Sequence, residues 1–186
     1  AEDSVERKRI LNEARVIEIQ AFQDSMTKRD EARAAESCAS LLESIVELID
    51  IETRAETKRS LLQEGIGAWE SLFGSKVDVQ DRVLARLYAW SSALRYQAAL
   101  LLPDAEQRKA ASEMSLEHGA LSLKHALASE DDYAIALSNI RLGWATDEFA
   151  GDVDKAELNF RDALTHASSA RDHWLRASAY YGLCFG

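Results

Sequence analysis

A single proline, Pro103, stands in a chain of 186 residues. Proline inside a helix costs about 3 kcal/mol relative to alanine, the best helix former. Here alanine occurs thirty times and glycine eight. A β-sandwich or a βαβ protein needs turn residues every dozen positions or so, and such turns are built largely from glycine and proline. This chain lacks them, so its near-absence of breakers excludes most β-containing folds and leaves an all-α one.

Capping residues then divide the chain. Asp3 with Glu6 reads as a capping box opening a helix that runs to about Arg29. Ile10, Ala14, Ile17 and Ala21 form one stripe along it. A second helix, about 31–50, carries Cys38, Leu42, Ile45 and Ile49, and a third, about 53–73, repeats the spacing as Leu62, Ile66, Trp69 and Phe73. Within the third, Gly65 and Gly67 either weaken the helix or admit a close neighbour. Gly74 and Ser75 end it, and Asp78 with Asp81 opens a fourth that Pro103 stops. Asp104 with Gln107 caps a fifth (about 104–128), Glu130-Asp131-Asp132 a sixth (about 132–149), Asp152 a seventh (153–168), and Ser169 with Asp172 an eighth. Connections this short make successive helices antiparallel neighbours.

The totals narrow the function classes. A net charge of −10 and a pI near 4.9 argue against nucleic acid, which is held on a basic face. The longest apolar run, Ala98 to Leu102, is far too short for a membrane span. Cys38 and Cys184 form no CxxC pair and read as two reduced, buried thiols of a cytoplasmic protein. One long-range disulfide in a secreted form is the alternative.

The last third of the chain repeats itself. Gly119, Leu123, Ala126 and Leu127 recur 37 positions later as Ala156, Phe160, Ala163 and Leu164. Leu137 and Trp174 are matched in the same way, as are Trp144 and Tyr181. Small residues let two helices approach, and the bulky residue a turn later fills the groove this opens. With Gly151-Asp152 between the paired helices and fourteen positions from Phe160 to Trp174, the pattern resembles the tetratricopeptide repeat (TPR). Asp132 to Leu137, followed by Leu142-Gly143, is also similar to the repeat arrays of large bacterial regulatory ATPases. The resemblance covers about 120–186. It implies a right-handed antiparallel helix-hairpin stack, a TPR-like α-solenoid of about eight helices. Residues 1–186 would form one such domain, with 1–50 as divergent N-terminal helices and 104–186 as the clearest repeats. A non-repeat helical bundle uses the same residue types at the same spacings.

The resemblance also implies a concave face, lined by the first helix of each pair, that receives a peptide or helix of a protein partner. Arg95, Asn139, Arg141, Arg176 and Tyr180 are the candidate binding residues, since an arginine fork suits a carboxylate. No catalytic constellation is found. P-loop, GxGxxG, GxSxG and HExxH motifs are absent from the sequence. His118/His125 and His166/His173 are seven positions apart, about 10.5 Å along a helix, too far to share a zinc ion. Asp147, Glu148, Asp152 and Asp154 do not follow an EF-hand spacing, and Asp152 is explained as a cap. The expectation is therefore a non-catalytic interaction or scaffold module without cofactor or metal. The alternative is a ligand- or peptide-sensing domain that controls the oligomeric state of a signalling or transcription regulator.

Two structural expectations complete the reading. Trp69, Trp90, Trp144 and Trp174 each sit on an apolar stripe and are assigned to the core. The stretch from Ser178 to Gly186 is largely apolar and stops half-way through a repeat. That points to a longer natural chain or to self-association through the last helix.

Overall fold

Turn chemistry sets the architecture. The computed structural model describes residues 2–74 and 78–185. They form α1 (Glu2–Lys28), α2 (Glu31–Ile51), α3 (Ala55–Phe73), α4 (Asp81–Leu101), α5 (Ala105–Ser129), α6 (Asp132–Ala145), α7 (Val153–Ser169) and α8 (His173–Phe185). No strand occurs among the described residues. The α6 helix runs on into a π-helical turn, Thr146–Ala150.

Four of the connections use one device. Arg29, Glu130, Gly151 and Arg171 all adopt the left-handed conformation, with φ between 53° and 63°. Each is followed by an aspartate that caps the next helix. Asp30 accepts from the Arg33 N–H (3.1 Å), Asp131 from Ala134 (2.9 Å), Asp152 from Lys155 (3.1 Å) and Asp172 from Leu175 (2.8 Å). The left-handed residue reverses the chain and the carboxylate satisfies a free N–H, so a helix is stopped and restarted within three residues.

Three expected starts differ. The α1 helix already includes Glu2, which puts Asp3 inside it, and the Asp3 side chain lies outside the described residues. The expected stop at Ser75 also lies outside them. The α4 helix begins at Asp81 behind Gln80, with no side-chain cap, rather than at Asp78. The Asp78 N–H instead donates to Glu31 of α2 at 3.3 Å. The α3 helix starts at Ala55 because Glu52 organises the turn before it. That carboxylate accepts from the Thr53 and Arg54 N–H groups (2.9 and 3.0 Å) and from Lys8 Nζ (2.7 Å). These contacts, Lys8 first, hold the Glu52 carboxyl down at about 2.

The even-numbered helices pack in series, α2 on α4, α4 on α6 and α6 on α8, while the odd-numbered ones lie between and outside them. Small residues set the approach. The most extensively packed pair, α4 and α5, is joined by buried serines: Ser92 Oγ donates to the Ser115 carbonyl (2.8 Å) and Ser115 Oγ to that of Ser92 (2.9 Å). Two turns on, Ser122 Oγ donates to the Ala85 carbonyl at 2.7 Å. A Cβ on Gly65 would lie 2.9 Å from Leu94, so this glycine admits a close neighbour, whereas Gly67 faces open space. The ring of Phe160 on α7, 1% exposed, lies where a Cβ on Gly143 of α6 or Gly182 of α8 would fall (2.7 and 2.4 Å). Two hairpins are closed at the same end. His125 near the end of α5 pairs with Asp81 at the start of α4, and His166 of α7 with Asp132 of α6, both at 2.7 Å.

Candidate binding groove

The parallel even-numbered helices line a solvent-open cavity of about 710 Å³. Its walls are Val46 and Asp50 from α2, Ala93, Tyr96 and Gln97 from α4, Arg141 and Trp144 from α6, and Trp174, Ala177, Ser178 and Tyr181 from α8. Each helix contributes residues three or four apart, the spacing that puts side chains on one face. A volume of this size lies within the range of ligand sites, roughly 300–1,000 Å³.

Arg141 is the cationic residue of this lining. Its guanidinium carbon is 4.3 Å from the centroid of Trp90 and 5.9 Å from that of Trp174, both cation–π distances. Trp90 itself is buried beneath it. The Nε is buried without an acceptor, and the guanidinium makes no hydrogen bond or ion pair to a described residue. Burial works against its charge, and Asp50, Glu43, Tyr133 and Glu47 act in the opposite direction. The three carboxylates of α2 are engaged elsewhere. Glu43 meets Arg86 (3.3 Å), Glu47 meets Arg7 (3.2 Å), and Asp50 accepts from the Gln97 amide (2.7 Å). A buried polar group left unpaired is costly, so an accessible cavity beside it is where a ligand acceptor fits.

Of the five sequence candidates, Arg141 alone is among the residues lining this cavity. Arg95 is buried toward α3, 3.9 Å from Glu70. Burial lowers its pKa and Glu70 opposes that. Asn139 is buried and donates to the Ile135 carbonyl of its own helix at 3.0 Å. Arg176 is half-buried and Tyr180 exposed, both outside the cavity lining. The aromatic walls were assigned to the core instead. Trp69 and Trp90 are indeed buried, but Trp144 is only half-buried and Trp174 is 45% exposed. Both line the groove, because α8 turns this face toward α6 and not toward α7. Spacing alone carried the missing signal: Arg141 and Trp144 are three apart, as are Ser178 and Tyr181.

The other chemistry-bearing residues are accounted for structurally. His118 accepts from or donates to Ser91 Oγ at 2.8 Å inside the α3–α4–α5 interface. His173 is exposed. Both cysteines are free; Cys38 is buried, with its thiol pushed up to about 12 by burial, but Cys184 is exposed, contrary to expectation, since it lies on the outward face of α8. No helix among the described residues is long and apolar enough to cross a membrane. No protein-family model, curated protein or solved structure matches the chain.

Proposed function

We propose that the chain is a non-catalytic interaction module, TPR-like in construction, that receives a peptide or helix of a protein partner in the groove of the even-numbered helices. Arg141 carries the reading. It is half-buried with its Nε fully buried, lies over an indole, makes no hydrogen bond or ion pair to a described residue, and faces a cavity of ligand size. Such a fork matches a carboxylate in two parallel hydrogen bonds. The acidic balance favours a protein partner over nucleic acid, and two free thiols are consistent with a reducing, cytoplasmic setting. Exposed Tyr180 and Phe185 on α8 favour additional self-association through that helix.

Selection from a displayed library of random dodecapeptides tests this. Peptides should be enriched on the chain and lost on Arg141→Met. No enrichment, or equal enrichment on both proteins, would overturn the reading. A second reading, a sensing domain that changes its oligomeric state, is favoured by the same cavity size. It requires the mass measured by light scattering to change when a selected peptide is added.

A further inference from the structure

The α1 helix is apolar on two sides. Its inward side, with Leu11, Phe22 and Met26, packs on the core. The stripe read from the sequence, Ile10, Ala14, Ile17 and Ala21, is a different one. Ile10 is 52% and Ile17 66% exposed, and the two alanines are half-buried. Apolar residues scattered singly over a surface are ordinary. These follow one another in steps of four, three and four, the spacing with which a helix pairs along its length with another helix.

Charged residues extend the row by three positions at each end. Arg7 precedes Ile10, and Asp24 follows Ala21. Arg7 is exposed, with its Nη2 3.2 Å from Glu47 of α2. Asp24 is exposed, and its hydrogen bond (2.9 Å) comes from the neutral amide of Gln20. The row therefore runs cation, large, small, large, small, anion. Reversed, it is its own complement.

That property is what a two-fold axis requires, since a contact of one residue with another is then made twice. Laid antiparallel on a second copy, Ile10 meets Ala21 and Ala14 meets Ile17, so a large side chain faces a small one in every layer. Arg7 meets Asp24 at both ends. Beside the row, Glu13 falls next to Gln20 and Glu18 next to Leu11, and no like charges meet. A parallel pair would stack Ile on Ile and Ala on Ala, Arg7 on Arg7 and Asp24 on Asp24, and would set Glu13 beside Glu18.

We infer that this face of α1 binds a second copy of the chain, antiparallel and about a two-fold axis between Ala14 and Ile17. The surface is separate from the peptide groove and does not depend on it. From Arg7 to Asp24 it is about 26 Å long. A single helix contact of that length is smaller than the roughly 1,200–2,000 Å² of a stable interface, so the dimer should have a Kd of about 10–100 μM.

Sedimentation equilibrium of the full chain from about 5 μM to about 1 mM reads this directly. The mass should rise from that of one chain toward that of two. Ile10→Ser/Ile17→Ser changes exposed side chains, should keep the helical circular dichroism spectrum, and should raise the Kd at least about tenfold. Arg7→Glu should also raise it about tenfold, because it sets glutamate against Asp24 twice. Arg7→Glu/Asp24→Arg should return the Kd to within about threefold of the unaltered value, which only the antiparallel register allows. A chain that stays monomeric at the highest concentration would overturn the inference. So would an unchanged Kd in Ile10→Ser/Ile17→Ser, which would move self-association to another face such as α8, or a double charge variant as weak as Arg7→Glu alone.

Discussion

Acidification should weaken this fold through one histidine. His118 is 7% exposed on α5, packed between the rings of Trp69 (4.8 Å) and Tyr88 (5.5 Å) and bonded to Ser91. Burial first, and then the Arg95 charge, lower its pKa from 6.5 to about 4. Above pH 6.5 the ring is neutral in both the folded and the unfolded chain, and its contribution is fully present. Between 6.5 and 4 the unfolded chain takes up the proton and the folded one does not, so stability falls as pH falls. Linkage puts the total at about 3 kcal/mol, with about 2 kcal/mol lost between pH 8 and pH 5. Carboxyl groups add further contributions. Glu52, held low mainly by Lys8, loses stabilisation as pH falls from about 4.5 toward 2, below this range. Glu43 and Asp50, both raised mainly because neighbouring side chains displace water from their carboxyl groups, act in the opposite sense. The assay is therefore a difference: urea unfolding of the chain and of His118→Gln at pH 8, 6.5 and 5. The variant should start less stable and lose about 2 kcal/mol less over that range. Parallel pH profiles for the two proteins would refute the assignment of the proton to His118.

Other perturbations separate packing from the groove. Phe160→Ala should cost about 3–5 kcal/mol, read as a lowered urea midpoint, because the ring fills the space between α6 and α8. Gly182→Ala should cost about 2–3 kcal/mol in the same measurement, since its Cβ would lie 2.4 Å from that ring. Trp174→Ala, in contrast, should cost only about 1–2 kcal/mol because the side chain is 45% exposed, while weakening peptide binding measured by fluorescence anisotropy. Arg141→Met should leave thermal stability nearly unchanged, since the half-buried guanidinium makes no hydrogen bond or ion pair to a described residue, and should abolish that binding.

The helices were legible because their signals are local. Asp104, Asp131 and Asp152 cap their helices as read, and the ends of α2, α5 and α7 fall within a residue or so. Departures occurred where a distant partner decided the outcome. Glu52 displaced the start of α3 through Lys8 of α1, 44 positions away, and Asp78 gave its N–H to α2. The chain also turns without glycine: Arg29, Glu130 and Arg171 take left-handed conformations that sequence reading assigns to glycine or asparagine. Only the aspartate after each one marks the turn. In the groove, the helices that line it were identified through the resemblance, but the faces were not. A rotation of one residue, about 100°, separates Tyr180 outside the cavity from Tyr181 within it. Trp90 and Trp174 show the same limit. Both read as apolar stripe positions, yet one is buried under Arg141 and the other faces it across the groove.

The same division explains why the groove is free to carry unbalanced charge. Contact between helices depends on small and buried residues, Ser92 against Ser115, Ala85 against Ser122, and Phe160 against Gly143 and Gly182. None of these lines the cavity. Groove residues such as Asp50, Trp174 and Tyr181 are exposed and contribute little to that packing. Arg141 is the exception, half-buried over Trp90 and without a hydrogen bond or ion pair to a described residue, and burial works against the charge it carries. The α2 carboxylates that could neutralise it are instead held by Arg86, Arg7 and Gln97. An arginine kept in this state has donors free for an arriving acceptor. Binding should therefore raise the melting temperature of the chain, and that rise should be absent in Arg141→Met, which does not bind.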